Sequence, residues 1–424
     1  MTLLDFFSSP RPGSTTRLDA AIWPRSARYA ADGRLTVGGV ALTEIADRFG
    51  TASCVLDERE VRDRCRAYRR VFPEAEIVFA GSALPVRAVA GWVAEEGLSI
   101  AVRSAGELAV ALAAGVAPNR IIMHGSGEDL DALETAVACH VGRVAVSSGA
   151  EIDLLGGVAT RPQRVLLRVD PAVRTGGEGP HGIPIDEVAA AIERIAQSPM
   201  LELIGLQCHL GSQLYNPDYY GEAIRRMVAE MAQIRRDTGR VLTALDLGGG
   251  HAVAYRSGDA EMNLTELADI IDDALDAACA RNRFPRPNIA LTPGRGIVAR
   301  AGITLYRVRS VKRNDGGQTS IVIDSGRPDP LVTAAIGTAP AIADRLVTGA
   351  LCSVTIAGMA GDHILASDIR LPADLRAGEL LAVPCTGAYQ SGRGNTRLPI
   401  IAVRGGRSEE LVRREPNLLD RDAG

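Results

Sequence analysis

The chain has 424 residues, a net charge of −4 and a pI near 6.0, which excludes nucleic acid as a default partner and leaves room for two or three domains. Of its 47 Lys and Arg residues only Lys312 is a lysine, so a mechanism that needs a side-chain amine has a single candidate, because arginine stays protonated. The N-terminus lacks a basic then apolar leader, no stretch reaches the ~18–20 apolar residues of a membrane helix, and the seven cysteines form no CxxC pair; a cytoplasmic protein with no membrane partner is expected.

The first 40 or so residues are rich in Pro, Arg and Ser and then weakly strand-like. From residue 76 short apolar runs alternate with helical patterns. The runs are Glu76–Ala80, Leu98–Val102, Arg120–His124, Arg143–Ser147, Arg164–Val169, Leu203–His209, Leu242–Leu247 and Asn288–Thr292. Residues 105–115, 128–139, 184–197, 219–237 and 263–281 carry apolar positions at three- and four-residue spacing, which predicts helices. Eight such units fit a closed α/β barrel, (β/α)8, better than the alternative, an open doubly wound sheet. Beyond residue 300 the runs Ile303–Val308, Ser320–Asp324, Leu380–Pro384 and Ile400–Val403 are separated by Gly, Pro and Asp turns, which predicts a C-terminal all-β domain.

In such a barrel, chemistry sits where strands end. Those positions are His124, Arg168, His209 with Ser212, Gly248-Gly249-Gly250-His251, and Thr292-Pro-Gly-Arg295. Three consecutive glycines let backbone N–H groups approach an anion, and Ser212 and Arg295 are suited to complete the cup. A tight turn without a ligand explains the glycines equally well. His124, His209 and His251 lack zinc-site spacing, so no metal is expected. Cys208 neighbours His209 on one strand and points to the opposite face, which argues against a Cys–His pair.

With these residues in view, the chain resembles the pyridoxal-phosphate enzymes of the alanine-racemase-like fold. Among them it is most similar to the diaminopimelate decarboxylase branch of the ornithine/diaminopimelate/arginine decarboxylases. The likeness runs from about Gly33 to Arg414 through Leu35-Thr-Val-Gly-Gly39, Glu95-Glu-Gly-Leu-Ser99, Gly106-Glu-Leu-Ala-Val-Ala-Leu112, His209-Leu-Gly-Ser-Gln213, Leu245-Asp-Leu-Gly-Gly-Gly250, Pro293-Gly-Arg295 and Thr386-Gly-Ala-Tyr389. It implies residues 1–40 contributing to the β domain, a barrel over 41–298 and a β domain over 299–424. It also implies a head-to-tail dimer whose active sites are completed by the partner.

The resemblance implies that His209 stacks on the cofactor ring. It implies further that Ser212, Gly248, Gly249, Gly250, Gly294, Arg295 and Tyr389 hold the cofactor phosphate.

The reaction-centre positions depart from the pattern. Ser82 stands where the family has its Schiff-base lysine, and Thr292 where it has the glutamate that pairs with the pyridine nitrogen. Met359-Ala360-Gly361 aligns with the Cys-Glu-Ser segment lent by the partner, with Cys352-Ser-Val as a competing alignment. Val332-Thr333 replaces an Arg-Pro, and Pro180-His181-Gly182 a Lys-Phe-Gly. Lys312 falls in the β domain, where the family also has a strand lysine. Three functions are therefore expected in competition. One is a repurposed barrel holding pyridoxal phosphate noncovalently, or another phosphorylated small molecule. The second is a non-catalytic partner or regulator that dimerises with an active homologue, a homodimer being expected otherwise. The third is an enzyme with lysine-independent chemistry drawing on Ser82, His209, His251 or Asp324.

Overall fold

A computed structural model describes residues 18–125, 129–175, 182–314, 319–325, 340–359, 364–389 and 398–413. Eight parallel strands form a closed ring: Glu76–Ala80, Ser99–Val102, Ile121–His124, Arg143–Val146, Gln163–Asp170, Leu201–Gln207, Ala244–Asp246 and Asn288–Leu291. Closure comes from the pairing of Ala290 with Glu76 and of Leu291 with Ile77, which excludes the open sheet. All eight predicted strands are present, with ends shifted by no more than a few residues.

Strand residues alternate between two environments, as a period of two requires. One set, including Ile77, Phe79, Ile100 and Met123, packs against the surrounding helices in the main core. The other faces the barrel axis and stacks in layers. At the N-terminal end Ser99 donates to Glu76 at 2.6 Å and Arg143 pairs with the same carboxylate, a polar plug. Above it lie Val78, Ala101, Ile122 and Ala290 on one side and Ala145, Leu166 and Ile204 on the other. A register shift between Leu203 and Gly205 brings Gly205 level with Leu166 and Gln207 level with Arg168. One step further the inward positions are Ala80, Arg103, His124, Arg168, Gln207, Asp246 and Thr292. That layer is the floor of the site.

The second unit is β-rich. Its long strand Gly302–Arg313 pairs with Ser53–Asp57, Thr319–Ile323 and Leu380–Val383. Ser53–Asp57 also pairs in parallel with Ile400–Val403, so it lies inside this sheet. This corrects the expectation that everything after residue 40 belongs to the barrel: the chain passes through the β unit until Asp57. Asp57 then ends the strand and caps the next helix, Glu58–Val71, accepting from the amides of Arg59 and Glu60. The small sheet of residues 28–41 packs on the same unit through Leu35 N–H to Ala343 O (2.8 Å). Among the described residues no helix is long and apolar enough to cross a membrane.

Candidate functional site

The C-terminal mouth of the barrel opens on a cavity of about 260 Å³. Ser82, Arg103, His124, Arg168, Gln207, His209, Ser212, Gly248 to Gly250, Thr292, Gly294, Arg295 and Tyr389 line it. Thus the residues expected at the lysine position, at the carboxylate position and in the phosphate cup meet in one place.

One wall is the cup. Arg295 donates from Nη2 to Ser212 Oγ at 2.6 Å, and its guanidinium lies 5.3 Å from the centre of the Tyr389 ring. Tyr389, at φ +60°, is pinned by its N–H to Ala83 O at 2.6 Å, directly after Ser82 in the fold. Among the described residues no carboxylate pairs with Arg295. Gly248 and Gly250 have φ of +71° and +87°. A Cβ at Gly249 would lie 2.0 Å from Thr292 O, and one at Gly250 2.0 Å from Gly211 O. The loop therefore needs glycine for its packing as well as for any approach to an anion.

The opposite wall is cationic. Arg168 donates from Nε to Gln207 Oε1 at 2.6 Å and from Nη2 to His124 Nδ1 at 3.2 Å. Gln207 is held in turn by donating to Cys208 O at 2.7 Å. Burial, and after it the neighbouring Arg168, His209 and Arg103, hold His124 well below the usual imidazole range, so it is neutral. Arg103 joins this wall from the end of the second strand. Beneath it the Asp246 carboxyl is buried and pushed up to about 6, chiefly by desolvation. Thr292 Oγ1 lies 3.3 Å and 3.4 Å from its two oxygens. Sequence reasoning missed Arg103, Gln207 and Asp246; the signal was the two-residue step from the apolar layer of the barrel.

Two expected participants lie elsewhere. His251 follows the glycines, but it is buried between Tyr68 and Tyr220, with Tyr68 Oη 2.9 Å from Nδ1 and the Tyr68 ring stacked at 5.6 Å. Burial depresses it to about 3. It is a core histidine, not an acid, base or ligand of the cavity. Asp324 accepts from the Arg307 amide at 2.7 Å and from Thr51 Oγ1, and pairs with Arg309 at 3.4 Å. It braces the β unit and does not line the cavity. Lys312 is exposed on the long β strand opposite Ser320. Cys208 is fully buried, and its thiol is pushed up by desolvation.

Met359 is 63% exposed and donates its N–H to Ser325 O. Cys352 lies on the strand Leu351–Ala357 of that unit, with its thiol directed at Thr319 Oγ1 (3.8 Å). Pro180, His181, Val332, Thr333, Ala360 and Gly361 lie outside the described residues. No group of three or more His, Cys, Asp or Glu among the described residues is arranged to hold a metal ion.

Comparison with known proteins gives a consistent picture. The family model described as pyridoxal-dependent decarboxylase, pyridoxal binding domain, matches residues 58–299. A diaminopimelate decarboxylase of Actinosynnema pretiosum subsp. auranticum is 43% identical, with 98% of each chain covered. That of Corynebacterium efficiens is 32% identical, covering 94% of this chain and 93% of its own. The crystal structure of diaminopimelate decarboxylase from M. jannaschii superposes with a TM-score of 0.84 at 22% identity, covering 93% of this chain and 96% of that one.

Proposed function

The chain belongs to the pyridoxal-dependent decarboxylase family, on its diaminopimelate decarboxylase side, and from that premise we propose that it binds a phosphorylated small molecule without running the family's lysine-dependent reaction. Pyridoxal phosphate held noncovalently is the first candidate, and another phosphorylated metabolite the second. The observation that carries this reading is Ser82: it lines the cavity at the end of the first barrel strand, while the sole lysine, Lys312, is exposed in the β unit.

The residues fit the cofactor at one end only. Ser212, Arg295, Tyr389 and the Gly248–Gly250 loop suit its phosphate. When bound in a complete site the cofactor supplies an electron sink, which needs a lysine to hold and exchange it and a carboxylate to keep its ring nitrogen charged. Ser82 offers no amine, and Thr292 offers a hydroxyl already beside the Asp246 carboxyl. No reaction step through the cofactor follows from such a site.

Absorbance spectra of the protein with pyridoxal phosphate, before and after borohydride and dialysis, test the reading. The wild type should release the cofactor unreduced, and Ser82→Lys should retain a reduced adduct. A borohydride-fixed adduct on wild-type protein would overturn the argument from Ser82. A second reading, a non-catalytic partner of an active homologue, draws support from the exposed Met359, at the segment that the resemblance assigns to the partner's site.

A further inference from the structure

The cup accounts for one wall of the cavity; the cationic wall opposite has no assigned role. Arg103, Arg168 and His124 all line the cavity, and among the described residues no carboxylate lines it with them. Among the described residues neither guanidinium makes an ion pair. The nearest acid to Arg103 along the chain, Glu107, is committed to the Arg103 amide at 2.9 Å.

The proton on His124 can be assigned by logic. Arg168 is a donor only, so Nδ1 must accept from it. In a neutral ring the proton is then on Nε2. That N–H is buried, with no partner among the described residues, and His124 is 8% exposed. A buried donor left unmatched costs about 1–3 kcal/mol, and the side chain that carries it lines the cavity. Two guanidiniums beside it, neither in an ion pair among the described residues, set the sign of an acceptor that would match it, with Asp246 and Glu151 as the carboxylates that act on Arg168.

Resting on the reading that the cup holds a phosphate, we propose that the ligand carries two anionic groups. Its phosphate lies against Ser212, Arg295, Tyr389 and the glycine loop. A second anion, a carboxylate or another phosphate, lies across the cavity against Arg103, Arg168 and His124. The ligand class is a small phosphorylated acid, the second candidate above rather than pyridoxal phosphate, and a cavity of about 260 Å³ suits its size.

A matched pair of probes tests this. Glycerol 3-phosphate and 3-phosphoglycerate differ at the end remote from the phosphate, where only the second bears a carboxylate. Titration calorimetry on the full chain should show 3-phosphoglycerate binding at least roughly tenfold more tightly, as a charge-assisted contact requires. Arg103→Met, on an exposed side chain, should erase that difference with an unchanged melting temperature, whereas Arg295→Ala should weaken both probes. Equal affinities for the two probes, or a preference that survives Arg103→Met, would overturn the second anion site and leave the cup standing. If neither probe nor pyridoxal phosphate binds, the cup fails and this inference fails with it.

Discussion

Asp246 and His251 sit five residues apart, both fully buried, and burial drives their titration in opposite senses. The Asp246 carboxyl is raised from 3.8 to about 6, mainly by desolvation, with the Gly248 amide at 2.8 Å pulling the other way. A carboxyl that binds its proton more tightly in the folded state stabilises the fold below pH 4, and that contribution is lost as pH rises through 6. The shift corresponds to about 3 kcal/mol at most. His251, lowered to about 3, has the reverse profile: its contribution is present above pH 6.5 and lost as pH falls towards 3. Asp246→Asn removes the first effect and leaves the second in place. Urea unfolding of the pair from pH 4 to 7.5 should show the variant gaining on the wild type as pH rises, by up to about 3 kcal/mol. A difference that does not change with pH would mean that Asp246 titrates as an ordinary carboxyl. The same two residues show the reach of sequence reasoning at this scale. Adjacency to the glycine loop made His251 look functional, yet the turn carries it behind the loop to Tyr68. Asp246 lies in the Leu245–Gly250 motif, yet the sequence alone does not mark it, because its role depends on Thr292 from the next strand.

The helix Glu58–Val71 shows how one element joins the two units. Its sequence is mostly charged, and its buried face is confined to Val61, Cys65 and Tyr68 with two glutamates, so no broad apolar stripe announced it. Glu60 is 1% exposed and accepts from Arg300 Nε at 2.8 Å, tying this helix to the chain that leaves the barrel. Removing one partner of a buried pair strands the other charge, which costs about 3–5 kcal/mol. Glu60→Ala should therefore lose about that much in urea unfolding at pH 7.5, with Glu60→Gln intermediate. A loss under about 1 kcal/mol would show that Arg300 finds water instead. The barrel strands were legible because each is an apolar run between turns, buried on both sides. Ser53–Asp57 is equally apolar, but its partners lie some 250 to 350 residues further along the chain, and no local pattern reports such a pairing. Ser212, the Gly248–Gly250 loop and Arg295 are legible from strand ends, whereas Tyr389 comes only from the family resemblance. Of the cationic wall, His124 and Arg168 are strand-end positions, but Arg103 and the joining of the three appear only when inward positions of neighbouring strands are aligned.

Across the whole molecule, one continuous core runs from Ile22 and Trp23 through the helices around the barrel to Ile401 and Val403, so the two units are welded together. The cavity between the cup and the cationic wall is framed by this core, while a second cluster around Tyr306 and Ile356 lies within the β unit. Large apolar side chains more than half exposed are few among the described residues: Tyr215, Met359 and Ile364. The last two belong to one feature. Ile364 pairs with Ala357 across adjacent strands, and Met359 follows two residues after Ala357, with 63% and 64% of Met359 and Ile364 exposed. Two exposed apolar groups at one strand end are a candidate contact surface, and the family resemblance assigns the segment at Met359 to a partner's active site. Light scattering on the 44.7 kDa chain should report a species of twice that mass. Met359→Asp combined with Ile364→Asp should return the monomer mass with the fold intact by circular dichroism, because a charge buried without a partner opposes association. A variant that stays dimeric would move the interface elsewhere. A wild type that is monomeric alone but dimeric with an active homologue would favour the partner reading over a self-sufficient binding protein.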